Sequence, residues 1–338
     1  IELYPDDTRA HTNLGILYSQ LGEGERAQER FSVSRQKPVL DRDLFLGVSQ
    51  TYVQQQDYEA AVLSLRAYLR DSFDSVDIRC MLAGIFLLKG DYDSAMAEIK
   101  RGRRLGSSSL LTRMQGEVYL MQGELKSAEA QFDTLLEDPE VLAQLWGRKR
   151  LADLYLLGGR FNQALEHLTK GVRLAGESQE MGWKYRLHLD LARTYLETGK
   201  ATKAMQQCDE AWSIAVLGET MDLPRDALHY RGLCYLALKR MRDAERTAER
   251  LRGLCEKGPV KNRMRYYYHL MGEIEMARNN PARAVDYFAQ AVNLLPPQGA
   301  PWLHSNDHGL FMDALAEAYY AADNPIKALE EFEKARDL

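Results

Sequence analysis

The sequence predicts an all-α chain, a solenoid of about nine antiparallel helix pairs. A pattern of three positions supports this prediction. A small residue is followed three positions later by a large, usually aromatic residue, and twelve positions later by an alanine. Residues three or four positions apart share one face of a helix, so each half of the pattern describes a helix with one packed side. The alanine recurs in nine segments without exception, which a random sequence would not maintain.

The repeat can be followed from one end of the chain to the other. The small residues are Gly15, Ser49, Ala83, Gly116, Ala152, Ala192, Gly232, Gly272 and Ala316. The large residues that follow them are Tyr18, Tyr52, Phe86, Tyr119, Tyr155, Tyr195, Tyr235, Glu275 and Tyr319. The alanines are Ala27, Ala61, Ala95, Ala128, Ala164, Ala204, Ala244, Ala284 and Ala328.

Turn signals separate the two halves of each segment. Examples are Lys89-Gly90-Asp91, Gly158-Gly159 and Asp323-Asn324-Pro325, whose residue types favour tight turns. Each segment therefore contains a helix A with the small and the large residue, a turn, and a helix B with the alanine. The small residue and the alanine let the two backbones approach closely, and the large residue fills the seam.

These residues are typical of one repeat family. The opening unit, from Asn13-Leu14-Gly15 through Tyr18, Ala27 and Phe31, resembles the tetratricopeptide repeat, and the whole chain resembles it in the same register. The resemblance implies a right-handed superhelix, with A helices lining a concave groove and B helices on the convex back. Ligands in this family usually lie against the A helices.

The repeat length divides the solenoid into two stretches. Residues 1–140 hold regular repeats of 33–34 residues, and residues 141–338 hold repeats of 36–44 residues. Longer helices or longer connecting loops would account for the difference. Both ends fall inside a repeat helix without the polar capping helix that exposed end repeats need. We therefore expect the chain to be a fragment of a longer protein.

Composition argues against several kinds of partner. The formal net charge of −5 gives no overall attraction to nucleic acid or to an anionic membrane. The longest apolar stretch, residues 81–88, is far shorter than the roughly 20 residues of a membrane span. Four scattered cysteines, with no close pair, predict reduced thiols buried as small apolar groups, which favours the cytoplasm. Cys208 and Cys234 could lie near each other, and packing is favoured over a disulfide.

Catalytic motifs are not found in the sequence. It lacks the glycine-rich phosphate-binding patterns, the G-x-S-x-G elbow and the H-E-x-x-H pair, so we expect no enzyme activity and no cofactor. His304, Asp307 and His308 could share a helix face and bind a metal, or could form a polar connector, and the connector is favoured. No metal site is therefore predicted.

One basic run stands out against the acidic chain. Residues 239–265 carry a local charge of +6 and lead directly into Tyr266, Tyr267 and Tyr268. Basic and aromatic residues in this order could stack on and neutralise an RNA strand. Alternatively, the charges lie on a solvated helix pair while the tyrosines pack between repeats. We favour the second interpretation.

The resemblance also indicates which side chains face a ligand. The subfamily that clamps C-terminal carboxylates has lysine and asparagine three residues before and one after the small residue, and no unit here carries that pair. Lys149 is followed instead by Asp153, which would repel a carboxylate. The groove positions and their neighbours nominate partner-binding residues at Arg113, Trp146, Lys149, Arg186, Arg193, His229, Tyr266 and His269. Trp146 could equally pack between two repeats.

Two functions remain open. The leading hypothesis is a non-catalytic scaffold or adaptor that binds a segment of a protein partner in the concave groove. The alternative is a ligand- or protein-sensing module of a larger bacterial signalling protein. The last repeat, with Trp302 and residues 310–320, is similar to arrays appended to serine/threonine kinases, and the longer repeats resemble those of transcription regulators. The oligomeric state is not indicated.

Overall fold

A computed structural model describes residues 7–35, 42–217, 223–258, 260–295 and 308–336. These ranges contain eighteen α-helices, two short 3-10 turns at Leu135–Glu137 and Lys261–Arg263, and no strand. The prediction of an all-α chain of paired helices is confirmed. Contacts divide the described residues into two compact units, one up to Asp138 and the other from Pro139.

Unit 1 holds the first four helix pairs. Their A helices are α1 (Thr8–Gln20), α3 (Arg42–Gln54), α5 (Val76–Leu88) and α7 (Ser109–Met121). Their B helices are α2 (Gly24–Arg35), α4 (Tyr58–Asp71), α6 (Tyr92–Leu105) and α8 (Leu125–Thr134). Each A helix packs on its own B helix, and each of the first three B helices also packs on the next A helix.

Unit 2 holds the remaining five pairs. Its A helices are α9 (Val141–Leu157), α11 (Met181–Glu197), α13 (Leu223–Ala237), α15 (Met264–Ala277) and α17 (His308–Ala321). Its B helices are α10 (Phe161–Glu177), α12 (Ala201–Leu217), α14 (Met241–Lys257), α16 (Pro281–Asn293) and α18 (Pro325–Arg336). Helices α9 to α12 have 17 residues each, against 10–14 in unit 1, which accounts for much of the longer repeat.

In the first, fourth and eighth pairs, the glycine of helix A meets a phenylalanine of helix B. A Cβ added at Gly116 would lie 2.4 Å from the Phe132 ring, and one at Gly272 would lie 2.5 Å from the Phe288 ring. These phenylalanines are buried, as are all nine repeat alanines. The residue three positions after the small one is buried in some repeats, as Phe86 and Tyr155 are, and partly buried in others, as Tyr52 is. Tyr155 carries the Arg160 guanidinium 4.3 Å above its ring.

Every A helix ends in the same backbone turn. The seventh residue after the small residue has a positive φ in all nine repeats, from 58° at Lys239 to 79° at Gly22. Glycine occupies this position in five repeats, and Gln56, Lys239, Asn279 and Asp323 occupy it in the others. In the third repeat the Asp91 side chain then accepts a hydrogen bond from the Ser94 amide and caps α6. The local turn thus reverses the chain in each repeat.

The two kinds of helix differ in their neighbours. Within each unit, successive A helices contact each other directly, as α13 does with α15 and α15 with α17. The B helices pack between A helices. We therefore call the surface formed by the A helices of one unit its A-helix face. Among the described residues, no helix combines the length and apolarity that crossing a membrane requires.

Candidate partner-binding surface

Two tryptophans lie together on the A-helix face of unit 2. Trp146 on α9 and Trp183 on α11 have ring centroids 4.8 Å apart and planes at 84°, which is an edge-to-face contact. Both side chains are only partly buried. Trp146 therefore packs against the neighbouring repeat and still offers part of its ring to solvent. The packing between repeats is therefore observed for Trp146, and its contact with a partner stays a prediction.

An ion-paired cluster lies one helical turn from Trp146. The Lys149 ammonium donates to Asp153 at 2.5 Å and lies 3.7 Å from Asp190 on α11, and Arg150 donates to Asp153 at 3.2 Å. Burial alone would lower the pKa of Lys149, but Asp153 and Asp190 raise it more. Burial would likewise raise the pKa of Asp153, but Lys149 and Arg150 lower it more. Both groups stay charged and neutralise each other.

The two arginines predicted on α11 differ in their surroundings. Arg186 is exposed. Arg193 donates from Nε to Glu197 at 2.9 Å, one turn further along the same helix. The positive charge of Arg193 also acts on Asp313 of α17. The A-helix face therefore brings side chains of α11 and α17 near each other, although α13 and α15 lie between them in the chain.

His229, Tyr266 and His269 lie beneath this face. The repeat register predicts them on the groove surface, but their exposed fractions are only 1%, 4% and 0%. The reason is Phe311 of α17, whose ring contacts all three, with its centroid 4.6 Å from that of His269. The Arg265 guanidinium also lies over the Tyr266 ring, 4.4 Å from its centroid. The three residues thus form a polar core where α13, α15 and α17 meet.

Arg113 belongs to unit 1. It is on α7 with 7% of its surface exposed, and its charge partly offsets the effect of burial on the nearby Cys80 thiol, whose pKa is raised to about 12. The structure thus places Arg113 in the interior of unit 1. Of the eight nominated residues, four lie in unit 2 as partly or fully exposed groups: Trp146, Lys149, Arg186 and Arg193.

Sequence reasoning missed Trp183 and an acidic group on α15 and α17. Trp183 lies three residues before Arg186, so helical spacing could have placed it on the same face. The acidic group consists of Glu273, Asp313 and Glu317. Burial and the nearby charge of Glu317 raise the pKa of Glu273 to about 7. Burial also raises the pKa of Asp313, against the opposing effect of Arg193.

The basic run of residues 239–265 has structural partners. On α14, Arg240 and Arg246 pair with Asp243, and Arg252 pairs with Glu249. The Arg250 guanidinium lies 4.4 Å above the Trp212 ring. Tyr266 and Tyr267 are buried, so they do not offer their rings to a nucleotide base. This arrangement matches the favoured interpretation, a solvated helix pair with packed tyrosines.

The cysteines and the histidine-rich connector complete the survey of possible chemistry. All four cysteines are free and buried, and the sulfurs of Cys208 and Cys234 lie 3.9 Å apart without a disulfide, as expected. His304 and Asp307 lie outside the described residues. In the part of the chain that the structure describes, no three His, Cys, Asp or Glu side chains are grouped so that they could hold a metal ion.

Comparison with known proteins agrees with this geometry. The family model of the tetratricopeptide repeat matches residues 49–109. No curated protein matches the sequence significantly. The solved structures that resemble the chain include a tetratricopeptide repeat protein from Parabacteroides merdae, with 16% identity over 81% of this chain and 97% of that one, at a TM-score of 0.51. Residues 49–109 thus match the tetratricopeptide repeat family, and the described chain has the paired-helix fold of tetratricopeptide-repeat structures.

Two further structures are similar in fold. The apo form of RapI has 13% identity, with 78% of this chain and 97% of that one covered, at a TM-score of 0.57. A signal transduction ATPase with numerous domains from Pyrococcus horikoshii, which has a tetratricopeptide repeat sensor, also has 13% identity, at a TM-score of 0.55. That match covers 94% of this chain and 52% of the ATPase, so this chain spans about half of its length. At these identities the likeness concerns the fold alone.

Proposed function

We propose that this chain is a non-enzymatic protein-interaction scaffold that holds a segment of a partner protein on the A-helix face of unit 2. The observation that carries the proposal is the edge-to-face pair of Trp146 and Trp183, partly exposed on neighbouring A helices. Tryptophan and arginine are the residues that most often dominate binding energy at protein interfaces. Here two tryptophans are accompanied by exposed Arg186 and partly exposed Arg193 on the same helix as Trp183.

The surroundings of the tryptophans suit an apolar anchor. Lys149 and Arg150 are already compensated by Asp153 and Asp190, so covering them with a partner leaves no unpaired charge. The same compensation argues against a carboxylate clamp, because Lys149 is occupied by its own acidic neighbours. Trp146 is also held in place by Trp183, which lowers the entropy that binding would cost.

A non-enzymatic role is supported by the fold and by the placement of the titratable groups. Repeat solenoids offer long open surfaces, whereas most catalysis uses a pocket that excludes water. The repeat register predicts His229 and His269 in the groove, but both are buried under Phe311. The reduced, buried thiols support a cytoplasmic location.

A second candidate is a sensing module within a larger signalling protein. Its basis is the Pyrococcus horikoshii ATPase, whose repeat region is a sensor and whose fold this chain shares. Thermal unfolding with a panel of small ligands distinguishes the two candidates. A sensor of small molecules is stabilised by its ligand, whereas a scaffold responds only to a peptide or protein.

The scaffold proposal is tested with peptides selected from a phage-displayed random library against the intact chain. Their affinities are then measured by fluorescence anisotropy for Trp146→Ala plus Arg193→Glu. The control, Phe332→Ala plus Arg173→Glu, likewise replaces one aromatic residue by alanine and one arginine by glutamate, at exposed residues of B helices. We expect the first variant to bind at least about tenfold more weakly and the control to bind normally. The proposal is wrong if the first variant is helical and keeps full affinity, or if no peptide is selected.

A further inference from the structure

The geometry points to a second contact on the same face: we propose that Glu273, Asp313 and Glu317 receive a lysine or arginine side chain of the partner segment. The segment would then carry its positive charge where it lies over α15 and α17. This inference rests on the proposed function and adds the chemistry of the partner.

Glu273, Asp313 and Glu317 give the α15 and α17 part of the A-helix face its negative charge. Asp313 and Glu317 are exposed and one helical turn apart on α17, and Glu273 lies on the neighbouring helix α15. Within the described residues, none of the three forms an ion pair with lysine or arginine. Arg193 acts on Asp313 from α11, but it donates its hydrogen bond to Glu197. Burial is the main cause of the raised pKa of Glu273, and the nearby charge of Glu317 raises it further, because neighbouring carboxylates disfavour each other's ionisation.

A buried nitrogen of His269 lies beneath this group. The His269 ring is fully buried, and its Nε2 makes no hydrogen bond of good geometry within the described ranges, although the Leu310 backbone of α17 also acts on the ring and opposes the effect of burial on its pKa. This nitrogen faces Glu273, whose Oε1 lies 3.8 Å away. The other ring nitrogen, Nδ1, is occupied by His229 at 3.0 Å. A buried polar atom without a partner is costly, so it points to a group that completes the arrangement.

A cationic side chain of the partner would compensate the negative charge of the carboxylates and would also affect the buried nitrogen of His269. Its charge would keep Glu273 ionised and thereby preserve an acceptor for an N–H on His269 Nε2. His269 cannot supply that charge, because burial lowers its pKa to about 3 and the ring stays neutral. A metal ion fits less well, since no set of three suitable ligands is grouped among the residues described. An RNA strand would be repelled by the carboxylates.

The acidic group and the tryptophan pair belong to one surface. Arg193 of α11 lies three positions beyond Asp190, which contacts Lys149 beside Trp146, and its charge also reaches Asp313 of α17. One partner segment can therefore contact both sites. An apolar residue of the segment would lie on the tryptophan pair, and a cationic residue would lie on the acidic group. Electrostatic complementarity of this kind fixes the direction in which a segment binds.

The test uses the peptides selected against the intact chain and the variant Glu273→Gln plus Glu317→Gln. The matched control, Asp286→Asn plus Glu330→Gln, changes the net charge equally on the B helices α16 and α18 of the same two repeats. We expect the selected peptides to contain lysine or arginine. Their affinity should fall about tenfold in the first variant and stay unchanged in the control. Replacing the peptide's cation by glutamine should cost as much, and the two changes together should cost little more than either alone.

The outcomes separate this inference from the proposed function. If peptides lose affinity on Trp146→Ala plus Arg193→Glu but not on Glu273→Gln plus Glu317→Gln, the scaffold stands and the cationic contact is wrong. Selected peptides without lysine or arginine, or spermidine binding to this group as tightly as a peptide does, also overturn the contact. If no peptide depends on either pair, both proposals fail. Circular dichroism and thermal unfolding confirm that each variant is folded.

Discussion

The Nε2 of His229 lies 3.0 Å from the Nδ1 of His269, and this contact joins α13 to α15 inside the core of unit 2. Both imidazoles are buried against Phe311 of α17. One ring must donate the shared proton and the other must accept it, so the pair requires at least one neutral imidazole. Charging both rings would break the contact and bury two positive charges.

We expect the folded chain to lose stability in mild acid through this pair. Burial lowers the pKa of both histidines, and that of His269 falls to about 3. Unfolded histidine titrates near 6.5. Between these two pH values the unfolded chain binds more protons than the folded chain, so the free energy of unfolding decreases as the pH falls. His269 alone should contribute about 1.4 kcal/mol per pH unit.

Urea unfolding at a series of pH values measures this slope. In the variant His229→Phe plus His269→Phe, which removes both titratable rings and keeps their bulk, the slope should become shallower. An identical slope in the wild type and the variant would show that other groups cause the acid sensitivity.

Glu273→Gln should stabilise the chain above neutral pH. The folded-state pKa of Glu273 is raised from 4.5 to about 7. Ionising this side chain therefore lowers the free energy of unfolding, and the loss develops as the pH rises from about 4.5 to 7. The full shift corresponds to roughly 3 kcal/mol. Because the side chain is 35% exposed, solvent screening reduces the expected gain to about 1 kcal/mol. Thermal unfolding at alkaline and at mildly acidic pH measures it. A variant that is less stable than the wild type at alkaline pH contradicts the prediction.

Gly116→Ala should destabilise unit 1. The added Cβ would lie 2.4 Å from the Phe132 ring, which is fully buried and cannot move away without strain. Overpacking of this kind costs about 1–3 kcal/mol. Denaturant unfolding measures the loss. Adding Phe132→Leu should recover part of it by making space. If the double variant loses as much stability as the two single variants added together, Gly116 and Phe132 do not interact as described.

Lys239→Gly should make the chain more stable, although it removes a side chain. Lys239 has φ 58° at the turn between α13 and α14, where Gly22, Gly90, Gly123, Gly159 and Gly199 stand in other repeats. A residue with a Cβ is strained by about 1–2 kcal/mol in this conformation, and glycine removes that strain. Glycine also gives the unfolded chain more conformational entropy, which offsets part of the stabilisation. We expect a net gain of about 0.5–1 kcal/mol in denaturant unfolding. Gly90→Ala is the reverse change and should destabilise the chain by a similar amount. Equal stability of wild type and both variants would contradict this account.

Much of the fold is readable from local spacing. Gly116 and Phe132, or Gly272 and Phe288, are separated by one turn and one short helix stretch, so their contact follows from the helix period and the hairpin alone. The turn position could also be predicted, because it comes seven residues after each small residue. Lys239 at that position is less obvious, since its residue type gives no turn signal and only the register places it there.

The candidate site was predicted less completely. Trp146 and Lys149 lie on an A helix, as the register predicts, but the residues that they contact, Trp183 and Asp190, come from the next repeat. The register predicts that His229 and His269 face the groove, and it says nothing of Phe311, which buries them. Their burial depends on how closely α17 approaches α13, and no local pattern encodes that distance.

The sequence by itself determined that the chain consists of paired helices and which residues form the seam of each pair. Helical periodicity and turn conformation act over only a few residues, so they can be read directly from the chain. The tertiary structure alone decided which groove residues are buried, which charges are compensated and where the uncompensated carboxylates lie. Those properties depend on the packing of α9 to α18, which brings together side chains that are far apart in the sequence.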